Sequence, residues 1–155
     1  MLRIALVGVS GRMGLSLIKA VAAEQQAELT VAISRPGSLA IGRDAGEQFG
    51  KQTGILISHD VTKALQGADV LVDFTRPEPS LEYLAVCQKV GVKMVIGTTG
   101  FSPEELLVIK EAATKIPLLL APNTSLGIAV MHQLVREAEK RLGPDYAIEI
   151  IDFHH

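Results

Sequence analysis

Three glycines at three-residue spacing, Gly8, Gly11 and Gly14, close the short apolar run Leu2-Arg3-Ile4-Ala5-Leu6-Val7, and a helical pattern with Leu17, Ile18 and Val21 on one face starts at once. That order, strand then glycine turn then helix, constrains the chain more than any other feature. Glycine removes the Cβ atoms that would hold a ligand away from backbone N–H groups, and the helix dipole favours an anion at the helix N-terminus. The pyrophosphate of a dinucleotide suits such a turn. The spacing is G-x-x-G-x-x-G, a variant of G-x-G-x-x-G, because Ser10 and Met13 stand where the common fingerprint counted from Gly8 needs glycine. A glycine turn that only lets the first helix pack closely on a sheet is the competing explanation; the strand-to-helix context favours nucleotide binding.

The chain has 155 residues, the size of one ordinary domain, and 48% hydrophobic content, enough to bury a core. With 15 basic against 17 acidic residues and no long run of either sign, it carries no electrostatic footprint for nucleic acid or an anionic membrane surface. Its apolar runs, such as Ile116 to Ala121, fall short of a membrane span. Gly8 interrupts the N-terminal apolar run too early for a secretory signal. A single cysteine, Cys87, excludes an internal disulfide and reads as a small apolar helix residue, so a cytoplasmic chain with small-molecule or protein partners is expected.

Glu28 to Ile33 completes a strand, helix, strand unit, which implies a parallel sheet. About 20 residues past such a glycine turn an acid normally holds the ribose hydroxyls of NAD. Here Ser34-Arg35 stands in its place, and a hydroxyl beside a guanidinium suits a 2′-phosphate, so the chain leans to NADPH, with NADH possible. An ordinary solvated arginine is the alternative. Pro36 to Thr53 reads as a loop with room for one helical turn, Ile55 to Ser58 as a short strand, Asp60 as the cap of a brief helix through Gln66, and Val70 to Phe74 as a buried strand. Pro77 opens a helix that presents Leu81, Leu84, Ala85 and Gln88 at helical spacing and stops at Gly91; Val92 to Ile96 is the next strand.

In an open parallel sheet the ligand lies across the carboxyl ends of the strands. The loops Asp73-Phe74-Thr75-Arg76-Pro77 and Gly97-Thr98-Thr99-Gly100 therefore face the crevice that the Gly8 turn opens, and their small hydroxylic residues let a flat ring approach the backbone. Ser102-Pro103-Glu104-Glu105 is a capping box for a helix running to about Lys115. Pro117 to Ala121 reads as a further buried strand that ends in Pro122-Asn123-Thr124-Ser125, and a long helix with Met131, Leu134, Val135, Ala138 and Leu142 on one face runs to Gly143-Pro144. Tyr146 to Phe153 alternates as a strand that delivers His154 and His155. Neighbouring strand residues point to opposite faces, and His59 and His132 add no ligand spacing, so no metal site is expected. The terminal pair reads as a general acid near neutral pH or as a fragment of a purification tag.

Taken in order, Gly8-Val9-Ser10-Gly11-Arg12-Met13-Gly14, Val72 to Glu78, Val95 to Phe101, Asn123 to Gly127 and Glu149 to His155 resemble the N-terminal part of the dihydrodipicolinate reductase family of lysine and diaminopimelate biosynthesis, also called 4-hydroxy-tetrahydrodipicolinate reductase. The resemblance implies an α/β doubly wound parallel (Rossmann) sheet over 1–124, with 125–155 as the first helix and strand of a substrate-binding and oligomerisation domain. It also implies NADPH-dependent reduction of a cyclic imine bearing two carboxylates. On the family pattern, Gly8, Val9, Ser10, Gly11, Arg12 and Met13 hold the pyrophosphate and Ser34 and Arg35 the NADP phosphate. Phe74, Thr75, Gly97, Thr98, Thr99, Ala121, Pro122, Asn123 and Thr124 line the cofactor, His154 donates the proton and His155 touches substrate. Family members commonly carry an acid before the arginine, so Ser34 speaks against NAD. The pattern continues past residue 155 to a catalytic lysine, a Ser-Gly-Thr anion loop and a tetramer-forming domain, so the chain is expected to bind cofactor without appreciable turnover alone. An NADP-dependent dehydrogenase of the homoserine or aspartate type, and a nucleotide-sensing Rossmann module, are the competing functions.

Overall fold

Strand β1 (Leu2–Val7) leads through the glycine turn into α1 (Arg12–Ala23), and β2 (Ala27–Ile33), β3 (Ile57–Ser58), α2 (Val61–Ala64), β4 (Val70–Asp73), α3 (Pro77–Val90), β5 (Lys93–Ile96), α4 (Pro103–Ala112), β6 (Leu118–Leu120) and α5 (Leu126–Leu142) follow. The computed structural model describes residues 1–151 and 153, in two units, Met1–Pro122 and Asn123–His155. In the first unit the strands form one sheet in the order β3-β2-β1-β4-β5-β6. Every pairing is parallel. The chain winds outward from β1 in one direction through β3, then returns to β4 and winds outward in the other, which puts the topological switch between β1 and β4. The doubly wound sheet expected from the sequence is the one observed.

Alternation along the central strands sends successive side chains to opposite faces, and each face has its own core. Ala5, Val7, Leu71, Met94 and Ile96 pack with Leu84 and Cys87 of α3 and with Ile109 and Ala112 of α4. Leu6, Ala32 and Ile57 pack on the other face with Val9 and with Ile18 of α1. Cys87 is fully buried in α3, and burial pushes its thiol up to about 12, in keeping with a structural residue. At the end of the sheet away from the glycine turn, Asp69 accepts from the Arg3 backbone N–H at 2.8 Å and from its guanidinium at 2.7 Å, which fastens β1 to the start of β4.

Several sequence expectations are corrected by packing. The buried face of α3 is Ser80, Leu84 and Cys87, whereas Ala85 is exposed, because the helix turns Cys87 toward the sheet. α4 ends at Ala112, and 113–115 continue only as turns, with the Thr114 hydroxyl donating to the Glu111 carbonyl. β3 is limited to Ile57–Ser58 because Leu56 forms an antiparallel bridge with Asp44 of the preceding loop. β6 is an edge strand with one neighbour, and Leu119 remains 56% exposed, so it is not a buried strand. In the second unit, α5 is capped by Ser125, whose hydroxyl accepts from the Ile128 N–H at 3.4 Å, and no residue of this helix is buried. Among the described residues, Tyr146 to Phe153 form no strand: alternation alone supplies no ladder, and the segment finds no neighbouring strand to pair with.

Candidate functional site

Gly8 has φ +68°, in the left-handed region where a Cβ is strained, and a side chain there would meet the Thr75 methyl at 2.7 Å. Gly14 allows a closer approach still, since a Cβ at that position would overlap the Gly8 carbonyl oxygen and the Val9 backbone. The turn is held by Gly11 N–H donating to Gly8 O at 3.0 Å and Val9 N–H donating to Ile33 O at 3.1 Å. Gly11 stands at the cap of α1, where no side chain accepts from the first-turn N–H groups and no acid sits in the first turn. Those donors, with the positive end of the helix dipole behind them, are what an anion requires.

At the end of β2, Ser34 turns inward. It is 1% exposed, and its hydroxyl pairs with that of Ser10 at 2.7 Å, tying the β2 end to the glycine turn. Arg35 alone of the pair faces out. The expectation of two groups presented to a ligand is thereby revised: Ser34 braces the turn, because its side chain lies on the core side of the strand end, and Arg35 carries the exposed cation.

The loops after β4 and β5 are joined by a polar network in which Thr75 and Thr98 are sequence candidates and Asp73 and Ser80 are not. Thr75 donates to Asp73 Oδ1 from its backbone N–H at 2.9 Å and from its hydroxyl at 2.6 Å, and the same N–H reaches Thr98 Oγ1 at 3.0 Å. Ser80 donates to Thr98 Oγ1 at 2.9 Å, and Gly97 N–H donates to the Asp73 carbonyl at 2.8 Å. Thr98 is 3% exposed, so its hydroxyl works inside this network while Thr99 is exposed. The Phe74 ring occupies the space a Cβ at Gly97 would need. Asp73 is fully buried, its Oδ2 accepts no hydrogen bond, and burial pushes its carboxyl above its ordinary value against the pull of the Ser80, Thr75 and Thr98 hydroxyls.

Two adjoining hollows share Gly8, Gly11, Phe74 and Arg76, one passing Arg12, Met13 and Ser16 and the other reaching from Ser10 and Arg35 to Tyr83. Together they form a groove over the switch point. Arg12, Arg35 and Arg76 are exposed around it, and the ion pairs among the described residues, made by Arg3, Arg43, Lys115 and Arg141, leave all three out. Arg76, which caps α3 without a side-chain bond, escaped the sequence reading although it lies in a loop named there. Ala121 N–H donates to the Ile96 carbonyl at 2.9 Å, which sets Ala121 and Pro122 at the carboxyl end of β6. In the second unit, Asn123 Oδ1 accepts from Ser125 N–H at 2.8 Å, and Thr124 precedes the α5 cap. His154 and His155 lie outside the described residues. No three His, Cys, Asp or Glu side chains gather as a metal site among the described residues.

A groove of this kind is shared by many nucleotide-binding domains, and comparison with known proteins narrows it. The family model described as "Dihydrodipicolinate reductase, N-terminus" matches residues 2–124. The chain belongs to this family. The 4-hydroxy-tetrahydrodipicolinate reductase of Nitrosomonas europaea is 46% identical over 154 residues, covering 99% of this chain and 58% of its own length. That of Aromatoleum aromaticum is 48% identical, covering 99% of this chain and 56% of the relative. The chain thus spans little more than half the length of these reductases. Among solved structures, a dipicolinate-bound dihydrodipicolinate reductase from Paenisporosarcina sp. TG-14 superposes with a TM-score of 0.70 at 27% identity, over 89% of this chain and 53% of that one. An amine dehydrogenase from Mycobacterium smegmatis, 21% identical with a TM-score of 0.59 over 77% of this chain and 38% of its own, shares the fold.

Proposed function

We propose that this chain is the nucleotide-binding part of an NADPH-dependent reductase acting on the cyclic imine 4-hydroxy-tetrahydrodipicolinate in lysine and diaminopimelate biosynthesis. The observation that carries the reading is the start of α1: a glycine turn with a positive φ at Gly8, no room for a side chain at Gly14 and no side-chain cap, placed at the switch point of a sheet in a chain of the reductase family. Bound NADPH would supply a hydride. The chain's own part is to hold it: N–H groups from Arg12 to Gly14 on the pyrophosphate, Arg35 on the 2′-phosphate, and Gly97 to Thr99 with Ala121 to Thr124 along the nicotinamide side. Val9 and Ser10 shape the turn, and Phe74 and Thr75 form the floor between the two halves. His154 as proton donor and His155 as substrate contact complete the assignment.

Preference for NADPH over NADH rests on Arg35, an exposed guanidinium at the end of β2 that joins no ion pair among the described residues. We place the nucleotide domain at 1–124 and the start of a substrate and oligomerisation domain at 125, with a homotetramer and a cytoplasmic location for the whole reductase. No described helix is long and apolar enough to cross a membrane. Titration calorimetry on the chain is the first test: NADPH binds and NADH binds more weakly, and equal affinities would overturn the role of Arg35. Following NADPH oxidation with freshly generated imine tests the reaction: no appreciable turnover is expected of the chain alone, and turnover close to that of ordinary reductases would overturn the roles given to His154, His155 and the domain from 125.

A further inference from the structure

Within the nucleotide-binding reading, on which this inference rests, Asp73 has no part by direct contact, since it is fully buried beneath the groove. Its position is nevertheless singular. It ends β4, beside the switch point, and the Thr75 it holds presses a methyl group toward Gly8 of the first loop. The same Thr75 N–H is shared with Thr98 of the β5 loop, and Ser80 of α3 closes the chain of hydroxyls by donating to Thr98. Loops from three different strands, those that would meet pyrophosphate and nicotinamide, are thereby coupled through one carboxyl. A buried carboxyl with one oxygen lacking any partner is costly for folding, and an apolar or amide side chain would avoid part of that cost. A role in stability alone does not account for it.

We propose that Asp73 is a positioning residue for the nucleotide: through Thr75 and Thr98 it holds the β4 and β5 loops against the Gly8 turn as one rigid ledge. The carboxyl offers Thr75 two acceptor contacts at a single oxygen, and Thr98, which accepts from the same Thr75 N–H and from Ser80, extends the network to the β5 loop. A methyl group in its place leaves the Thr75 N–H and hydroxyl without their shared acceptor, so the Thr75 loop loses its fixed orientation even if the fold persists. Because the coupling reaches the β5 loop, the loss should fall on the nicotinamide half of the ligand more than on the adenosine half held near Arg35.

The test compares the full chain with Asp73→Ala and Ser80→Ala, measuring calorimetric affinity for NADPH and for adenosine 2′,5′-bisphosphate, together with the thermal midpoint. Asp73→Ala is expected to weaken NADPH by at least about tenfold, the scale of one lost hydrogen bond to a charged group, while the adenosine bisphosphate changes less than about twofold. Ser80→Ala, which removes the donor to Thr98 and the 3.5 Å approach to the Thr75 hydroxyl but leaves both Thr75 contacts on Asp73, should shift NADPH in the same direction by about threefold to fivefold. NADPH affinity unchanged in Asp73→Ala, or equal losses for both ligands in step with a lower midpoint, overturns the positioning role. Should Asp73→Ala not fold, an unchanged NADPH affinity in Ser80→Ala overturns it. If the unsubstituted chain binds neither ligand, the nucleotide-binding reading itself fails and takes this role with it.

Discussion

Two helices of the first unit, α1 and α4, begin in opposite ways. At α4 the Ser102 hydroxyl accepts from Glu105 N–H at 3.2 Å, the Glu105 carboxylate accepts from Ser102 N–H at 2.7 Å, and Pro103 removes a third donor. The chain has satisfied that N-terminus with its own side chains. At α1 the cap is Gly11, nothing reaches back to the first-turn N–H groups, and the loop folds so tightly that even Gly14 has no room for a methyl group. A good cap is worth about 1 kcal/mol. Foregoing it at α1 leaves both the donors and the dipole available to an anion, which is the physical difference between a helix that ends a loop and one that starts a site.

Filling the space at α1 should break this comparison most severely. Gly14→Val drives a side chain into the Gly8 carbonyl and should abolish NADPH binding in calorimetry while destabilising the chain by about 3 kcal/mol or more in urea unfolding. Gly11→Asp converts the start of α1 into a capped one carrying its own anion; NADPH affinity should fall by roughly a hundredfold with little change in thermal midpoint. An undiminished affinity would show that the open N-terminus is not where the ligand's charge rests. Arg35→Ala should remove about 1.5 to 3 kcal/mol of NADPH binding and leave NADH nearly unaffected, bringing the two cofactors together. At α4 the consequences reverse, since Ser102→Ala should lower stability by about 1 kcal/mol with no change in nucleotide affinity.

The smallest effect is expected at the opposite end of the sheet. Hydrogen bonds from the Arg3 side chain and backbone, with the Arg3 charge, hold Asp69 down at about 2, below its unfolded value. A depressed folded pKa contributes stability that is present above about pH 4 and is lost as pH falls toward 2. Acid unfolding of the parent chain should therefore steepen across that window, and Asp69→Asn should flatten it. Because the Arg3–Asp69 pair is solvent-exposed, high salt should also reduce the difference.

Much of the scaffold is legible in the chain because it follows from local rules. The apolar run Leu2–Val7, the glycine spacing, the Asp60 cap and the Ser102 box each act over a few residues, and each reappears in place. The inward turns of Ser34 and Thr98 were not legible, since a hydroxyl at a strand end serves ligand or core equally well until the neighbouring loop is placed. Asp73 and Ser80 escaped notice for the same reason: they meet Thr75 and Thr98 only when β4, β5 and α3 are packed together. Tyr146 to Phe153 shows the converse, an alternating pattern that no local rule can turn into a strand without a partner.

By itself, then, the sequence determined the order of strands and helices in the first unit and the glycine turn at Gly8, because periodicity, capping and glycine spacing are written along the backbone, while its ordered motifs carried the resemblance to the family. Only the tertiary structure decided that Arg35, Arg76 and the open start of α1 border one groove, and that a buried acid ties three of its loops together. Those facts depend on which strands become neighbours across the switch point, and long-range pairing is set by the packing of whole elements rather than by any short run of residues.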